Sequence, residues 1–154
     1  MGNQNSKGNN GRGYSCTEAM FDLLSILSVV AKYLIPKIPN NEEIKLPDCI
    51  GKALREIDRS YRDRTCDKSI IDCIDKAKKD IIVKLGLEKH LEFERNNIME
   101  YYHRYGANAS IQELLMGFLT FREVRGSKIR EWALKIVDSS DFRDYGAQES
   151  DCED

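Results

Sequence analysis

The first seven residues combine the types that a protein acyltransferase uses as its substrate. The chain opens with the letters MGNQNSK, which match the N-myristoylation pattern M-G-x-x-x-[ST]. After removal of Met1, the amine of Gly2 has to reach the thioester of myristoyl-CoA in a narrow channel, which only a residue without a side chain allows. Ser6 supplies a hydroxyl for docking, and Lys7 adds the basic residue that the reaction favours. We therefore predict that Gly2 is myristoylated.

This heptapeptide resembles the acylated N-termini of neuronal calcium sensors and of Src-type kinases. The resemblance ends there, because no EF-hand loop of the D-x-[DN]-x-[DN]-G type and no kinase signature follows. The alternative is a chance match, since any chain that starts Met-Gly and has a serine at the right place fits the pattern. Acylation would require a eukaryotic cell, or a virus that uses one.

Behind this arm the sequence predicts helices, and no segment has the alternation of a strand. Capping boxes, in which a serine is followed three residues later by a glutamate, stand at Ser15 and Ser110. Apolar residues recur with the helical period, and prolines or glycines stand at most predicted helix ends. The predicted helices begin near Ser15, Pro47, Asp67, Leu87, Ser110 and Ser127. We predict an all-α, compact bundle of five or six helices.

The predicted domain organisation has three parts. Residues 1–14 form a flexible acylated arm, residues 15–138 the helical domain and residues 139–154 a disordered acidic tail. The apolar stripes extend to Leu85 in the third helix and Tyr105 in the fourth, and Trp132 lies at the centre of the stripe of the last helix. The fifth helix is predicted to reach Gly126. Gly117 inside it indicates close helix packing or weak local stability.

The first helix allows two interpretations. The segment from Thr17 to Ile35 is apolar except for a stripe of polar residues that includes Asp22 and Lys32. Its apolar part is too short and too charged for a comfortable membrane span. It is therefore either a core helix, which the pattern favours, or a helix lying in the plane of a membrane.

The charge is unevenly distributed along the chain. Residues 138–154 hold seven acidic residues and one arginine, a charge of −6, whereas the whole chain carries −2, so residues 1–137 carry +4. This mildly basic body lacks the clustered basic stripe of a nucleic-acid-binding domain, so we expect no nucleic-acid partner. Lys7, Arg12, Lys76 and Lys79 are the candidates for contacts with anionic lipid.

The cysteines and histidines predict neither a metal site nor a secreted disulfide framework. Five cysteines occur without C-x-x-C spacing, and only two histidines, His90 and His103, are present. Cys66 and Cys73 are interpreted as small buried apolar residues, which fits a reducing, cytoplasmic environment. No catalytic motif accompanies the histidines, so we expect no enzymatic activity and no cofactor.

A single myristoyl chain binds membranes with an association constant of only about 10⁴ M⁻¹, so a second anchor is needed. Palmitoylation of Cys16, a basic surface or homo-oligomerisation could supply it. The plan of an acylated arm, a helical body and a polar tail is similar to that of retroviral matrix domains and soluble poxvirus myristoylated proteins, although the dense basic patch of a retroviral matrix domain is lacking. The resemblance implies a viral, peripheral, matrix-like or accessory adaptor on the cytoplasmic face of membranes. The alternative is a soluble, Bcl-2-like module that binds a host protein in a groove, with an accidental Gly2 motif.

Overall fold

The chain forms an all-α bundle, as the sequence predicts. The computed structural model describes residues 14–39, 46–57, 62–106 and 108–144. Within these residues the α-helices are α1 (Cys16–Val29), α2 (Cys49–Glu56), α3 (Lys68–Ala77), α4 (Glu88–Tyr101), α5 (Ile111–Phe121) and α6 (Ser127–Asp144). The predicted arm up to residue 13 lies outside the described residues, as do Gly2, Ser6, Lys7 and Arg12.

Helix α1 is the centre of the bundle. It begins at the predicted capping box, where the Ser15 hydroxyl accepts from the amide of Glu18 and the Glu18 carboxylate accepts from the amide of Ser15, both at 3.1 Å. Every residue from Ala19 to Val29 is buried, and α2, α3, α4 and α5 all contact this helix. The core-helix interpretation is therefore confirmed. Together with the turns that follow, residues 16–37 are long and apolar enough to cross a membrane, but 78% of the apolar window is buried in the bundle.

Three helices continue into a π-helical turn, and this explains one wrong prediction. The turns are Val30–Leu34 after α1, Lys78–Val83 after α3 and Tyr102–Gly106 after α4. A π turn has more residues than an α turn, so residues in or after it lie at different angles around the helix than a 3.6-residue period predicts. Leu85, predicted to point inward, is 52% exposed.

Two helix ends share the Schellman arrangement of hydrogen bonds. After α3, the Leu87 amide donates to the Ile82 carbonyl at 2.8 Å, with Gly86 in the left-handed conformation at φ 69°. After α5, the corresponding residue is Glu123, at φ 60°. The fifth helix thus ends at Phe121, whereas the prediction extended it to Gly126.

At the end of α5, this arrangement buries the apolar side chain of Val124, which a longer helix would place elsewhere. The amide of Val124 donates to the carbonyl of Leu119 at 2.8 Å, and the amide of Glu123 donates to that of Thr120 at 2.9 Å. Val124 is only 8% exposed. Its burial accompanies the left-handed conformation of Glu123, which glutamate rarely adopts.

Helix α6 is longer than predicted. It packs against α2 and α5 with Ile129, Ala133 and Val137 buried, while Trp132, predicted to be central, is half-buried. The helix reaches Asp144, so the predicted boundary at residue 139 falls inside it. Residues 145–154 of the predicted tail lie outside the described residues.

A disulfide joins α2 to α3, which corrects the prediction of unpaired cysteines. Cys49 and Cys73 are bonded with their Cα atoms 5.9 Å apart and 24 residues apart in sequence. Such a separation matches no short cysteine motif, so only the packing of the two helices brings the residues together. The inference of a reducing compartment rested on unpaired cysteines, and this bond removes that support.

Candidate functional site

The described chain begins at the root of the predicted arm, where it is held against the segment that precedes α3. The two segments run antiparallel. The amide of Cys66 donates to the carbonyl of Tyr14 at 2.6 Å, and the amide of Cys16 donates to that of Arg64 at 2.8 Å. An isolated antiparallel bridge joins the residues between these pairs. The point at which the arm leaves the helical body is therefore fixed by backbone hydrogen bonds.

A buried carboxylate adds a side-chain contact to this root. Asp22 is 5% exposed, and its carboxylate accepts from the Tyr14 hydroxyl and from Arg95 Nε, the latter at 2.6 Å. Lys78 Nζ lies 4.0 Å from the same carboxylate. The charged side chains come from α1 (Asp22), α4 (Arg95) and the π turn after α3 (Lys78), and together they carry a net charge of +1. They meet the arm at Tyr14. We term Tyr14, Asp22, Lys78 and Arg95 the arm-root cluster.

A second buried acid lies deeper in the bundle. Glu94 is fully buried, and its two carboxylate oxygens accept from Arg122 Nε at 2.9 Å and from an Arg122 terminal nitrogen at 3.0 Å. The Ser28 hydroxyl donates to it at 3.2 Å. Hydrogen bonding to Glu94 raises the pKa of the Arg122 guanidinium. A paired acid of this kind connects α1, α4 and the end of α5, and it presents no group to solvent for catalysis.

The sequence pattern predicts no specific contact for either buried acid, Asp22 or Glu94. Glu94 occupies an inward position in the spacing Leu91, Glu94, Ile98, which is a detectable signal for a buried carboxylate. The pattern predicts Asp22 only as a member of a polar stripe, although the residue stands in the apolar segment from Thr17 to Ile35. Their arginine partners, Arg95 and Arg122, lie 73 and 28 residues away in sequence, and no local pattern identifies them.

The lysines predicted to contact lipid lie on exposed parts of the third helix and its π turn. Lys76 forms an ion pair with Asp80 at 3.2 Å while its side chain remains 63% exposed, and Lys79 is exposed. Lys78, between them, reaches the arm-root cluster. Lys79 is therefore one residue, and Lys76 two residues, away in sequence from Lys78, whose side chain belongs to the arm-root cluster.

The predicted palmitoylation residue is buried. Cys16 is 4% exposed and Cys66 is 6% exposed. Burial raises the pKa of both thiols, that of Cys66 to about 12. A buried thiol that resists ionisation is a poor acceptor for an acyl group. Palmitoylation of Cys16 stays a prediction that this burial opposes.

An exposed aromatic stripe runs along α4 and the end of α5. Phe93 is 53% exposed, Tyr105 63% and Phe121 48%. Tyr101 stacks among them, with its ring centroid 5.2 Å from that of Tyr105 and 5.3 Å from that of Phe121. Tyr101 also lies directly over Gly117, where a Cβ atom would collide with its hydroxyl. Of the two interpretations of this glycine, close helix packing is confirmed.

Within the described residues, no three His, Cys, Asp or Glu side chains are grouped so that they could hold a metal ion. His90 stacks on the ring of Tyr33 with centroids 4.0 Å apart, and His103 makes an edge contact with Phe21 at 6.5 Å. Both histidines are thus placed against aromatic rings. Comparison with protein-family models, with curated proteins and with solved structures finds no match.

Proposed function

We propose that this chain is an N-myristoylated peripheral membrane protein that acts by binding, as a matrix-like or accessory adaptor of viral type on the cytoplasmic face of a membrane. The observation that carries the proposal is the heptapeptide with Gly2, Ser6 and Lys7. An acyl chain on Gly2 would be tethered to the body through residues 3–13. Tyr14, the residue after them, is anchored by a backbone hydrogen bond and by its contact with Asp22.

The burial of α1 supports a peripheral mode of attachment. In the described chain, the one helix that is long and apolar enough to cross a membrane has its apolar side chains in contact with the other helices, so exposing them to lipid would require opening the core. Membrane affinity would then come from the acyl chain together with a surface. Since one myristoyl chain is a marginal anchor, the basic residues of the third helix are the second element that we propose.

The charges of Lys76 and Lys79 set the size of the expected electrostatic contribution. A lysine close to an anionic membrane surface contributes about 1 kcal/mol, so removing both should weaken binding by roughly 30-fold. The contribution should vanish on vesicles without anionic lipid. Because Lys76 is also paired with Asp80, its share is expected to be the smaller of the two.

Vesicle flotation tests this proposal. Acylated protein is prepared by co-expression with an N-myristoyltransferase and mixed with phosphatidylcholine vesicles with or without phosphatidylserine. Gly2→Ala should abolish flotation on both, whereas Lys76→Ala/Lys79→Ala should reduce it only when phosphatidylserine is present. Lys52→Ala/Lys89→Ala, which removes the same charge from exposed positions on α2 and α4, is the matched control and should bind like the unaltered protein.

Flotation of Gly2→Ala at the level of the unaltered protein would overturn the role of the acyl chain. A loss of binding in Lys52→Ala/Lys89→Ala as large as in Lys76→Ala/Lys79→Ala would overturn the assignment of the third helix.

The exposed aromatic stripe favours a second candidate, a module that binds another protein. In that case Phe93→Ser and Phe121→Ser would abolish partner binding, and Gly2→Ala would not.

A further inference from the structure

Two thiols meet where the arm joins the helical body. Cys16 is the first residue of α1, and Cys66 stands just before α3, so 50 positions of sequence separate them. The backbone hydrogen bonds described above hold the two segments side by side, with Cys66 opposite Tyr14 and Cys16 opposite Arg64. The side chains of the two cysteines are both buried, and each influences the ionisation of the other. The backbone pairing therefore places the two cysteines close together.

The environment distinguishes the roles of the two sulfurs. Burial raises the pKa of both thiols, and the negative charge of Asp67 raises both further. The positive charge of Arg64 opposes this rise at Cys16, whereas the pKa of Cys66 is raised to about 12. Cys16 is thus the easier of the two to ionise, although burial holds the pKa of both above the ordinary value.

A surface cleft lies beside Cys16, which is one of its lining residues although only 4% of the cysteine is exposed. Its volume is about 590 Å³. Its lining combines Cys16 and the apolar Ile70 with charged and polar side chains, namely Glu56, Arg64, Thr65 and Asp67. A small, polar thiol reagent that carries both charges would find complementary groups there.

We propose that Cys16 and Cys66 are a second disulfide site of this protein, formed reversibly by exchange with a small-molecule disulfide such as oxidised glutathione. This inference does not depend on the acylation of Gly2. The thiolate of Cys16 attacks one sulfur of oxidised glutathione, forming a mixed disulfide at Cys16 and releasing one glutathione thiolate. Cys66 then loses its proton to solvent and attacks the sulfur of Cys16, which releases the second glutathione. Two protein thiols are oxidised and one glutathione disulfide is reduced to two thiols.

The bond would fasten the root of the arm to the segment before α3. In the reduced protein the start of α1 is held there by hydrogen bonds, which open when this end of the helix frays. A covalent bond between Cys16 and Cys66 would keep the segments together. We expect the amide hydrogens of Cys16 and Cys66 to exchange more slowly in the oxidised form, by about tenfold or more. The exchange rates in α5 should change little.

The experiment maps disulfides in the folded chain with Cys152→Ser as background, which leaves the two pairs. Reduced protein is incubated with excess oxidised glutathione, quenched in acid, unfolded, alkylated and digested. We expect a peptide linking Cys16 to Cys66 beside the one linking Cys49 to Cys73, with a rate of formation that rises with pH because Cys16 must ionise. The Cys66→Ser variant should stop at the Cys16–glutathione mixed disulfide.

Formation of the Cys49–Cys73 bond is the internal control for oxidation. If that bond forms while Cys16 and Cys66 are still fully alkylated, the proposal is overturned. Linkage of Cys16 to Cys49 or Cys73 would overturn it as well. The variant with Cys49→Ser and Cys73→Ser, which removes the known disulfide, should still form the Cys16–Cys66 link. Should any variant fail to fold, the map of the Cys152→Ser protein alone decides.

Discussion

Replacement of Gly117 by alanine tests the packing of α4 against α5 through a single contact. A Cβ atom at this position would overlap the Tyr101 hydroxyl and lie 3.3 Å from the ring carbon Cζ that bears it. The ring cannot move away freely, because it packs against Phe118 and Phe121 with centroid distances of 5.7 and 5.3 Å. Removing the hydroxyl, by Tyr101→Phe, removes the overlap and leaves only a tight contact with Cζ.

Two opposing effects set the expected magnitude. Alanine in a helix interior is favoured over glycine by about 1 kcal/mol. Overpacking of an ordered site costs about 1–3 kcal/mol. With Tyr101 present, Gly117→Ala should therefore lower the free energy of unfolding by about 1 kcal/mol. With Tyr101→Phe, the same change should raise it by up to about 1 kcal/mol, so its sign reverses and the two positions are coupled by about 2 kcal/mol.

Urea denaturation of the four proteins in this cycle, with the Cys49–Cys73 bond intact, measures the coupling. Gly51→Ala is the matched control, because it also lies inside a helix, α2, and an added Cβ would meet no atom within 4 Å. It should stabilise the protein equally with Tyr101 and with Tyr101→Phe. If Gly117→Ala stabilises the Tyr101 protein as much as Gly51→Ala does, the described packing of α4 on α5 is refuted.

Three further predictions concern the helix ends, the buried thiol and the buried ion pair. Gly86→Ala should destabilise the protein by about 1 kcal/mol, whereas Glu123→Gly should stabilise it by about 0.5 kcal/mol, because both positions have left-handed backbones. Thermal and urea unfolding would show both signs reversed if this geometry were wrong. Burial raises the pKa of Cys66 from 9.0 to about 12, so its contribution to stability is complete below pH 9 and is lost as the pH rises towards 12. Reduced protein should accordingly lose stability more steeply above pH 9 than Cys66→Ala, and parallel pH profiles would contradict the burial. Arg122→Met should cost about 3–5 kcal/mol in urea unfolding by leaving Glu94 buried without its cation, and a loss below about 1 kcal/mol would show that water reaches the carboxylate.

The sequence predicts those parts of the fold that depend on neighbours along the chain. Both capping boxes, at Ser15 and Ser110, form as predicted, since each needs only a serine and a glutamate three residues later. The periodic apolar residues of α5 are all buried, because its hydrogen bonding stays regular from Ile111 to Phe121. Local pattern and packing agree in these elements.

The sequence fails where the backbone departs from regular geometry. No residue type marks the π turn that brings Leu85 to the surface. The left-handed residue that ends α5 is a glutamate, where glycine is the usual signal. The start of α6 was predicted within one residue, but its continuation to Asp144 was not, since the acidic composition there favours disorder over helix.

The contacts at the root of the arm lie beyond local patterns altogether. They join Cys16 to Arg64 and Asp22 to Arg95, pairs that are 48 and 73 positions apart in sequence. The Cys49–Cys73 disulfide likewise depends on how two helices meet. The residues of the proposed acylation site, by contrast, lie in a contiguous motif from Gly2 to Lys7, which is recognised without any structure.

Acylation of Gly2 is tested most directly by the mass of the N-terminal peptide of the protein expressed in a eukaryotic cell, with Gly2→Ala as the control. The proposed function predicts a peptide that has lost Met1, begins at Gly2 and carries a myristoyl group in amide linkage, while the control peptide carries none. A peptide from the unaltered protein that begins at Met1, or at a Gly2 whose amine is free or acetylated, would contradict the proposed function.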